Sequence, residues 1–162
     1  MTTELRHWQN SDAEILTEIC NNTDRTFLTD ALPFPYNEDY AAKRIEYCLT
    51  EEGKAGFYRA IVADGKVAGN IDAVVAGNGE AILGYYLSPD ACGKGTATFA
   101  VKEFCRIAAE NGIKLLTARV CRGNSASIRV LEKNGFSQTG ILKNYPVKKT
   151  LRCDVLIFKK KL

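Results

Sequence analysis

Apolar and polar residues alternate through the middle of the chain. Val67, Gly69, Ile71, Ala73 and Val75 form one series, and Leu83, Tyr85 and Leu87 form the next. A period of two is that of a strand with one buried face. The run "DGK" at Asp64 to Lys66 separates the first series from "FYRAIVA", and "GNG" at Gly77 to Gly79 separates the two series. Both are hairpin turn signals, so this stretch predicts an antiparallel meander of three strands.

After the meander the period changes. Ala97, Ala100, Val101, Phe104, Cys105 and Ala108 recur at helical spacing, and Gly112 ends the pattern. "IKLLTARV" returns to alternation through Leu116, Ala118 and Val120. "SASIRVLEKNG" is a short helix, capped by Asn124 or Ser125 and closed by Gly135. "FSQTGIL" and "TLRCDVLIF" read as two further strands.

The N-terminal third opens with a short strand, "TELRHW". A helix follows, capped by Ser11 or Asp12, with Ile15, Leu16, Ile19 and Cys20 on one face. A second helix gathers Tyr40, Ala41, Arg44, Ile45 and Cys48. Between them Pro33 and Pro35 forbid regular helix. The element order is strand, helix, helix, three strands, helix, strand, helix, two strands. That is a mixed α/β (α+β) sheet domain spanning 1–162. The unit from Leu83 to Val120 should be a right-handed parallel crossover.

Composition narrows the function. The chain has 162 residues, 46% hydrophobic and 25% charged, the mix of a soluble single domain. A net charge of +3 is too small for a nucleic-acid surface, and Lys159 to Lys161 reads as a solvated end. "MTTELRHWQN" has no secretory character, and no apolar run approaches the roughly 18 residues of a membrane helix. The expected setting is the cytoplasm, with neither nucleic acid nor membrane as partner. Six cysteines form no CxxC pair, and the one histidine is His7. This speaks against a metal site and a disulfide framework, and predicts thiols that are mostly reduced, buried and inert.

The segment "CGKGTA", Cys92 to Ala97, lies between a strand and the best helix. Glycines there let the free N–H groups of a helix N-terminus approach an anion. A Walker A loop does not fit, since Ser88 stands where its first glycine belongs. The dinucleotide fingerprint does not fit either, since Thr98 takes its third place.

The segment instead resembles the cofactor loop of the GNAT acetyltransferases, Q/R-x-x-G-x-G/A, with Gly93, Gly95 and Ala97 in the small-residue places. "NSASIRVLEKNGF", Asn124 to Phe136, is similar to that family's N-x-x-S-x-x-L-x-x-x-G-F segment. "LPFPYNEDYAAKRIEY" resembles the acceptor-side helices of the RimJ/RimL group, which acetylates protein N-termini. The resemblance spans nearly the whole chain. It implies a twisted, mostly antiparallel sheet of about seven strands with one splayed parallel pair, flanked by about four helices.

It also implies roles. Acetyl-CoA is the co-substrate, its pyrophosphate held by Cys92, Gly93, Lys94, Gly95, Thr96 and Ala97. Its pantetheine arm lies along Tyr86, Leu87 and Ser88, with the Leu87 N–H near the acetyl carbonyl. Asn124 contacts the arm, Ser127 donates to the departing thiolate, and Lys133 or Arg129 meets the phosphates. Asn124 and Ser127 also fit an ordinary helix cap. Two departures stand out. The loop opens on Ala91 and Cys92 where many relatives carry Gln or Arg, and Ile82 and Leu83 precede Gly84 where many carry a glutamate. Glu80 and Tyr145 are the remaining candidates for proton transfer from the amine. Phe34 and Tyr36, in the stretch from Phe34 to Asp39, are expected to meet the acceptor. That acceptor is a protein N-terminus or a small amine, and the enzyme a monomer or homodimer.

Overall fold

The computed structural model describes residues 1–162. Seven strands form one sheet: β1 (Thr3–Arg6), β2 (Gly56–Ala63), β3 (Lys66–Gly77), β4 (Glu80–Leu87), β5 (Leu115–Cys121), β6 (Ser137–Lys148) and β7 (Leu151–Lys161). Four α-helices accompany them: α1 (Ala13–Asn22), α2 (Glu38–Glu51), α3 (Thr96–Glu110) and α4 (Ser125–Lys133). The strand order is β1-β2-β3-β4-β5-β7-β6, and every neighbouring pair is antiparallel except β4 and β5. The expected meander is β2-β3-β4. Its turns place Asp64 and Gly65, then Asn78 and Gly79, at positive φ, the backbone a two-residue type I′ hairpin requires.

Helices cover both faces of the sheet. On one face, Ile71, Ala73, Leu83, Leu116, Ala118 and Phe158 pack against Val101, Phe104 and Ala108 of α3 and Leu131 of α4. On the other, Tyr58 and Ala60 of β2 pack against Leu16 and Cys20 of α1 and Ala41, Ile45 and Cys48 of α2. Burying one such aliphatic or aromatic side chain contributes roughly 1.5–3 kcal/mol.

Four boundaries differ from expectation. The first strand ends at Arg6, because residues 10–12 form a 3-10 turn whose Asp12 carboxylate binds Arg6 (2.7 Å) and the Gln9 N–H (2.8 Å). Asp12 therefore closes the turn rather than capping α1 with its side chain. Asn37, which the spacing did not single out, caps α2 by accepting from the Tyr40 N–H (2.9 Å). β6 and β7 are longer than their hydrophobic cores, so Tyr145 lies within β6 instead of after it. Lys159, Lys160 and Lys161 are not a loose end. They extend β7 and pair with Thr117, Leu116 and Leu115 of β5.

Candidate active site

The parallel ladder between β4 and β5 is short. It runs from Glu80↔Leu115 to Leu83↔Ala118 and stops there. Both strands continue: Gly69↔Leu87 still pairs β4 to β3, and Cys121↔Val155 still pairs β5 to β7. Gly84–Leu87 and Arg119–Cys121 therefore face each other across an open wedge. On the β3 side the Ser88 N–H reaches the Ala68 carbonyl at 2.7 Å. Antiparallel strands alternate the direction of their backbone groups, so the Leu87 N–H points into the wedge.

Two cavities of about 710 and 810 Å³ open at this wedge. They share Phe27, Leu28, Tyr85, Tyr86, Asn124 and Ser127, so a group bound in one can touch a group bound in the other.

The larger cavity holds the glycine loop. Gly93 (φ +72°) and Gly95 (φ +81°) both adopt left-handed backbone, which explains the residue type at each. A side-chain atom at either would meet nothing within 4 Å, so the loop stands open. Gly95 is the N-cap of α3. No side chain caps that helix, and its first turn holds no acidic residue. By contrast, α2 carries an Asn37 cap with Glu38 and Asp39 in its first turn. The unpaired N–H groups at the start of α3 are left for an anion, and Arg129 and Lys133 line the same cavity. Cys92, Thr96 and Ala97 also border it. Ser88 and Lys94 do not line it; Lys94 is exposed, and the Ser88 carbonyl accepts from the Cys92 thiol (3.5 Å).

Where the cavities meet, Ser127 Oγ lies 2.7 Å from Tyr85 Oη. Asn124 is the N-cap of α4, its Oδ1 accepting from the Ser127 N–H at 3.2 Å. Capping therefore uses the backbone of Ser127 and leaves its hydroxyl to Tyr85. Burial pushes the Tyr85 phenol above its ordinary pKa, against the opposing hydrogen bond from Ser127, so it stays protonated at neutral pH. Tyr86 points to the opposite face, its hydroxyl 3.4 Å from Cys20 Sγ.

The smaller cavity contains one carboxylate, Asp72. Its Oδ2 accepts from Asn70 (2.8 Å) and Arg44 (3.2 Å). Its Oδ1 lies 3.7 Å from where a Cβ on Gly84 would stand, so the missing side chain at Gly84 opens a path from Asp72 to the wedge. Burial raises the Asp72 pKa, against the opposing pull of Asn70 and Arg44. A carboxylate so held accepts a proton more readily than one in water.

Residues 24–36 roof this cavity. The Asn21 amide grips the Tyr36 backbone in both directions (2.8 Å each). Arg25 donates to the carbonyls of Leu32, Cys20 and Pro33 at 2.6–2.9 Å. Lys148 donates to the Arg25 carbonyl (2.6 Å), which ties the roof to the β6–β7 hairpin. Tyr36 is buried in the cavity wall, and burial lifts its pKa to about 12. Phe34 instead faces outward, 66% exposed, under the Arg25 guanidinium.

The two proton-transfer candidates sit elsewhere. Glu80 is exposed at the start of β4, four residues before Gly84, and Tyr145 is 37% exposed on β6; neither borders either cavity. Tyr85 and Asp72, which do border them, escaped the motif reading. The signals were present: a phenol on the apolar face of β4, and a buried Asn-x-Asp pair inside the central strand β3.

These features have counterparts in known proteins. The model of the acetyltransferase (GNAT) domain family matches residues 3–137. The chain is 28% identical over 160 residues to the uncharacterized N-acetyltransferase p20 of Bacillus licheniformis, covering 95% of this chain and 89% of that protein. It is 26% identical over 163 residues to the putative phosphinothricin acetyltransferase YwnH of Bacillus subtilis, covering 98% of each. Its fold superposes on RimL, a ribosomal L7/L12 α-N-protein acetyltransferase solved with coenzyme A, with a TM-score of 0.87 at 18% identity, over 100% of this chain and 95% of that one. A family match over most of the chain, on a sheet splayed between a glycine-loop cavity and a carboxylate-bearing one, makes this protein a member of the GNAT acetyltransferases, enzymes that transfer an acetyl group from acetyl-CoA.

Proposed function

We propose that the protein is an N-acetyltransferase that joins acetyl-CoA and a primary amine in one ternary complex. The carrying observation is the meeting of the two cavities at Tyr85 and Ser127. Acetyl-CoA supplies a thioester carbonyl for the amine to attack and a sulfur that leaves as the thiol. The Gly93–Ala97 loop and the start of α3 hold the phosphates, with Arg129 and Lys133 beside them. The Leu87 N–H polarises the carbonyl from the wedge. Asp72 Oδ1 takes the proton that makes the amine a nucleophile, the role for which Glu80 and Tyr145 are badly placed. Ser127, with the Tyr85 hydroxyl behind it, returns a proton to the sulfur. Asn124 combines helix capping with contact to the cofactor arm.

For the acceptor, the reading is the α-amine of a protein N-terminus, in keeping with the fold shared with RimL. A small amine is the second reading. It is favoured by the pinned roof over the acceptor cavity and by the relationship to YwnH. The reading keeps the expected cytoplasmic setting, in which the cysteines would remain reduced.

The test is free-thiol release from acetyl-CoA across a panel of peptide N-termini, amino acids, polyamines and amino sugars. At least one amine should drive release well above the rate in buffer. Tight acetyl-CoA binding with no release by any amine would make the protein an acyl-CoA-binding module instead.

A further inference from the structure

Resting on that reading, the geometry points to an acceptor that carries an acidic group close to its amine, with Arg119 and Lys43 as the residues that select it. The carboxylate of Asp72 is the one acidic side chain bordering the acceptor cavity, against three cations: Lys43, Arg44 and Arg119. Arg44 is engaged with Asp72 at 3.2 Å, and its guanidinium also lies over the Tyr58 ring. Arg119 and Lys43 have no ion pair and no side-chain hydrogen bond.

Sheet register places them usefully. Asp72 pairs with Gly84 across β3 and β4, and the next step in the ladder that ended at Leu83↔Ala118 would set Gly84 beside Arg119. Partners in register share a sheet face, so Asp72, Gly84 and Arg119 form a row on the face opposite the Leu83–Ala118 core. The middle position has no side chain. Neighbouring strands lie about 4.8 Å apart. A carboxylate and a guanidinium thus flank a gap of two strand spacings, widened by the wedge, at the level where the cavities meet.

An amine directed to Asp72 would leave the rest of its molecule under Arg119 and Lys43. A carboxylate or phosphate there gains a charge-assisted, bidentate contact with Arg119. A second ammonium there meets two unpaired positive charges, which works against polyamines. The same chemistry has two sources: a free amino acid, or a peptide whose first residues are acidic.

The experiment compares kcat/KM for matched acceptors: a free acidic amino acid and its amide, a peptide beginning with Asp and the same peptide beginning with Asn, and spermidine. An acidic acceptor should exceed its neutral counterpart by on the order of tenfold or more, the effect of one charged hydrogen bond. Which pair shows the larger ratio identifies the source. Arg119→Gln should collapse that ratio, Arg119→Lys should keep part of it, and Lys102→Gln on the exposed face of α3 should leave it unchanged. Melting curves on each variant confirm folding. Equal use of acidic and neutral acceptors, a preference for spermidine, or a ratio untouched by Arg119→Gln would overturn the inference while leaving the acetyltransferase reading intact. Absence of acetyl-CoA binding and of turnover with every amine would overturn both.

Discussion

Tyr85 Oη and Ser127 Oγ stand 2.7 Å apart although 42 residues separate them in the chain. The pair links β4 to α4 beside the open wedge, at the point where both cavities meet. A serine hydroxyl is a poor acid alone. A phenol behind it can resupply the proton it gives away.

If the two hydroxyls act as one relay, Ser127→Ala and Tyr85→Phe should each lower turnover by on the order of 10²-fold. The double variant should lose little more than either single one, because residues that act as a unit are not additive. The Michaelis constant for acetyl-CoA should barely move. Steady-state kinetics on the three variants provide the test, and fully additive losses would mean two independent roles.

Asn124→Ala separates support from chemistry. Loss of the α4 cap should cost about 1 kcal/mol of stability, and, if Asn124 contacts the cofactor arm as proposed, loss of its amide should raise the Michaelis constant for acetyl-CoA. Ser127→Ala should leave both nearly unchanged, since its N–H, not its hydroxyl, meets the cap. Thermal melts and saturation curves on the two variants show the contrast.

Acetyl-CoA should stabilise the fold by roughly 2.7 kcal/mol at a hundredfold excess over its dissociation constant, with much smaller shifts for ATP and NAD. Gly95→Val should abolish most of the acetyl-CoA shift. A branched residue is strained at φ +81°, and its side chain projects into the open space where the phosphates are proposed to sit. An unaltered shift in thermal melts would make the loop an ordinary turn.

Asp72 predicts a pH dependence. As a base it works ionised, so turnover should fall as pH drops through its pKa. Burial sets that pKa above the usual carboxylate value, and the acid limb of the rate profile should lie correspondingly high. Asp72→Asn should remove the limb and most of the turnover. Stability runs the opposite way. The folded state holds this proton more tightly than the unfolded chain does. The associated stability is therefore complete below the ordinary carboxylate pKa and is lost as pH rises through the raised one. Asp72→Asn should lack that decline, as melts across the range will show.

The order of elements was legible because it rests on local periodicity: alternation in β3 and β4, helical spacing in α3, positive-φ glycines after Asp64 and Asn78. The glycine loop was legible for the same reason, since left-handed backbone demands a residue type. The residues proposed for proton transfer were not, because their placement depends on pairing between distant strands. Glu80 looked close to the "GY" pair in the chain, yet a strand advances about 3.3 Å per residue, and four residues carry it out of reach. Asp72 looked remote, yet hairpin register sets it directly beside Gly84. Phe34 and Tyr36 are two residues apart and part company because the roof turns between them, burying one ring and exposing the other.

The roof over the smaller cavity is fastened largely at its main chain: Asn21, Arg25 and Lys148 hold its carbonyls and an N–H, and the Asp30 carboxylate adds a tie to the Lys149 N–H (2.9 Å). Such a segment can change its inward-facing residues without losing its path. The glycine loop, Asn124 and Ser127 lie in another part of the sequence and are untouched by those changes. Descendants of this scaffold can therefore drift toward new amines while keeping one acyl donor, provided Asn21, Arg25, Asp30 and Lys148 are retained.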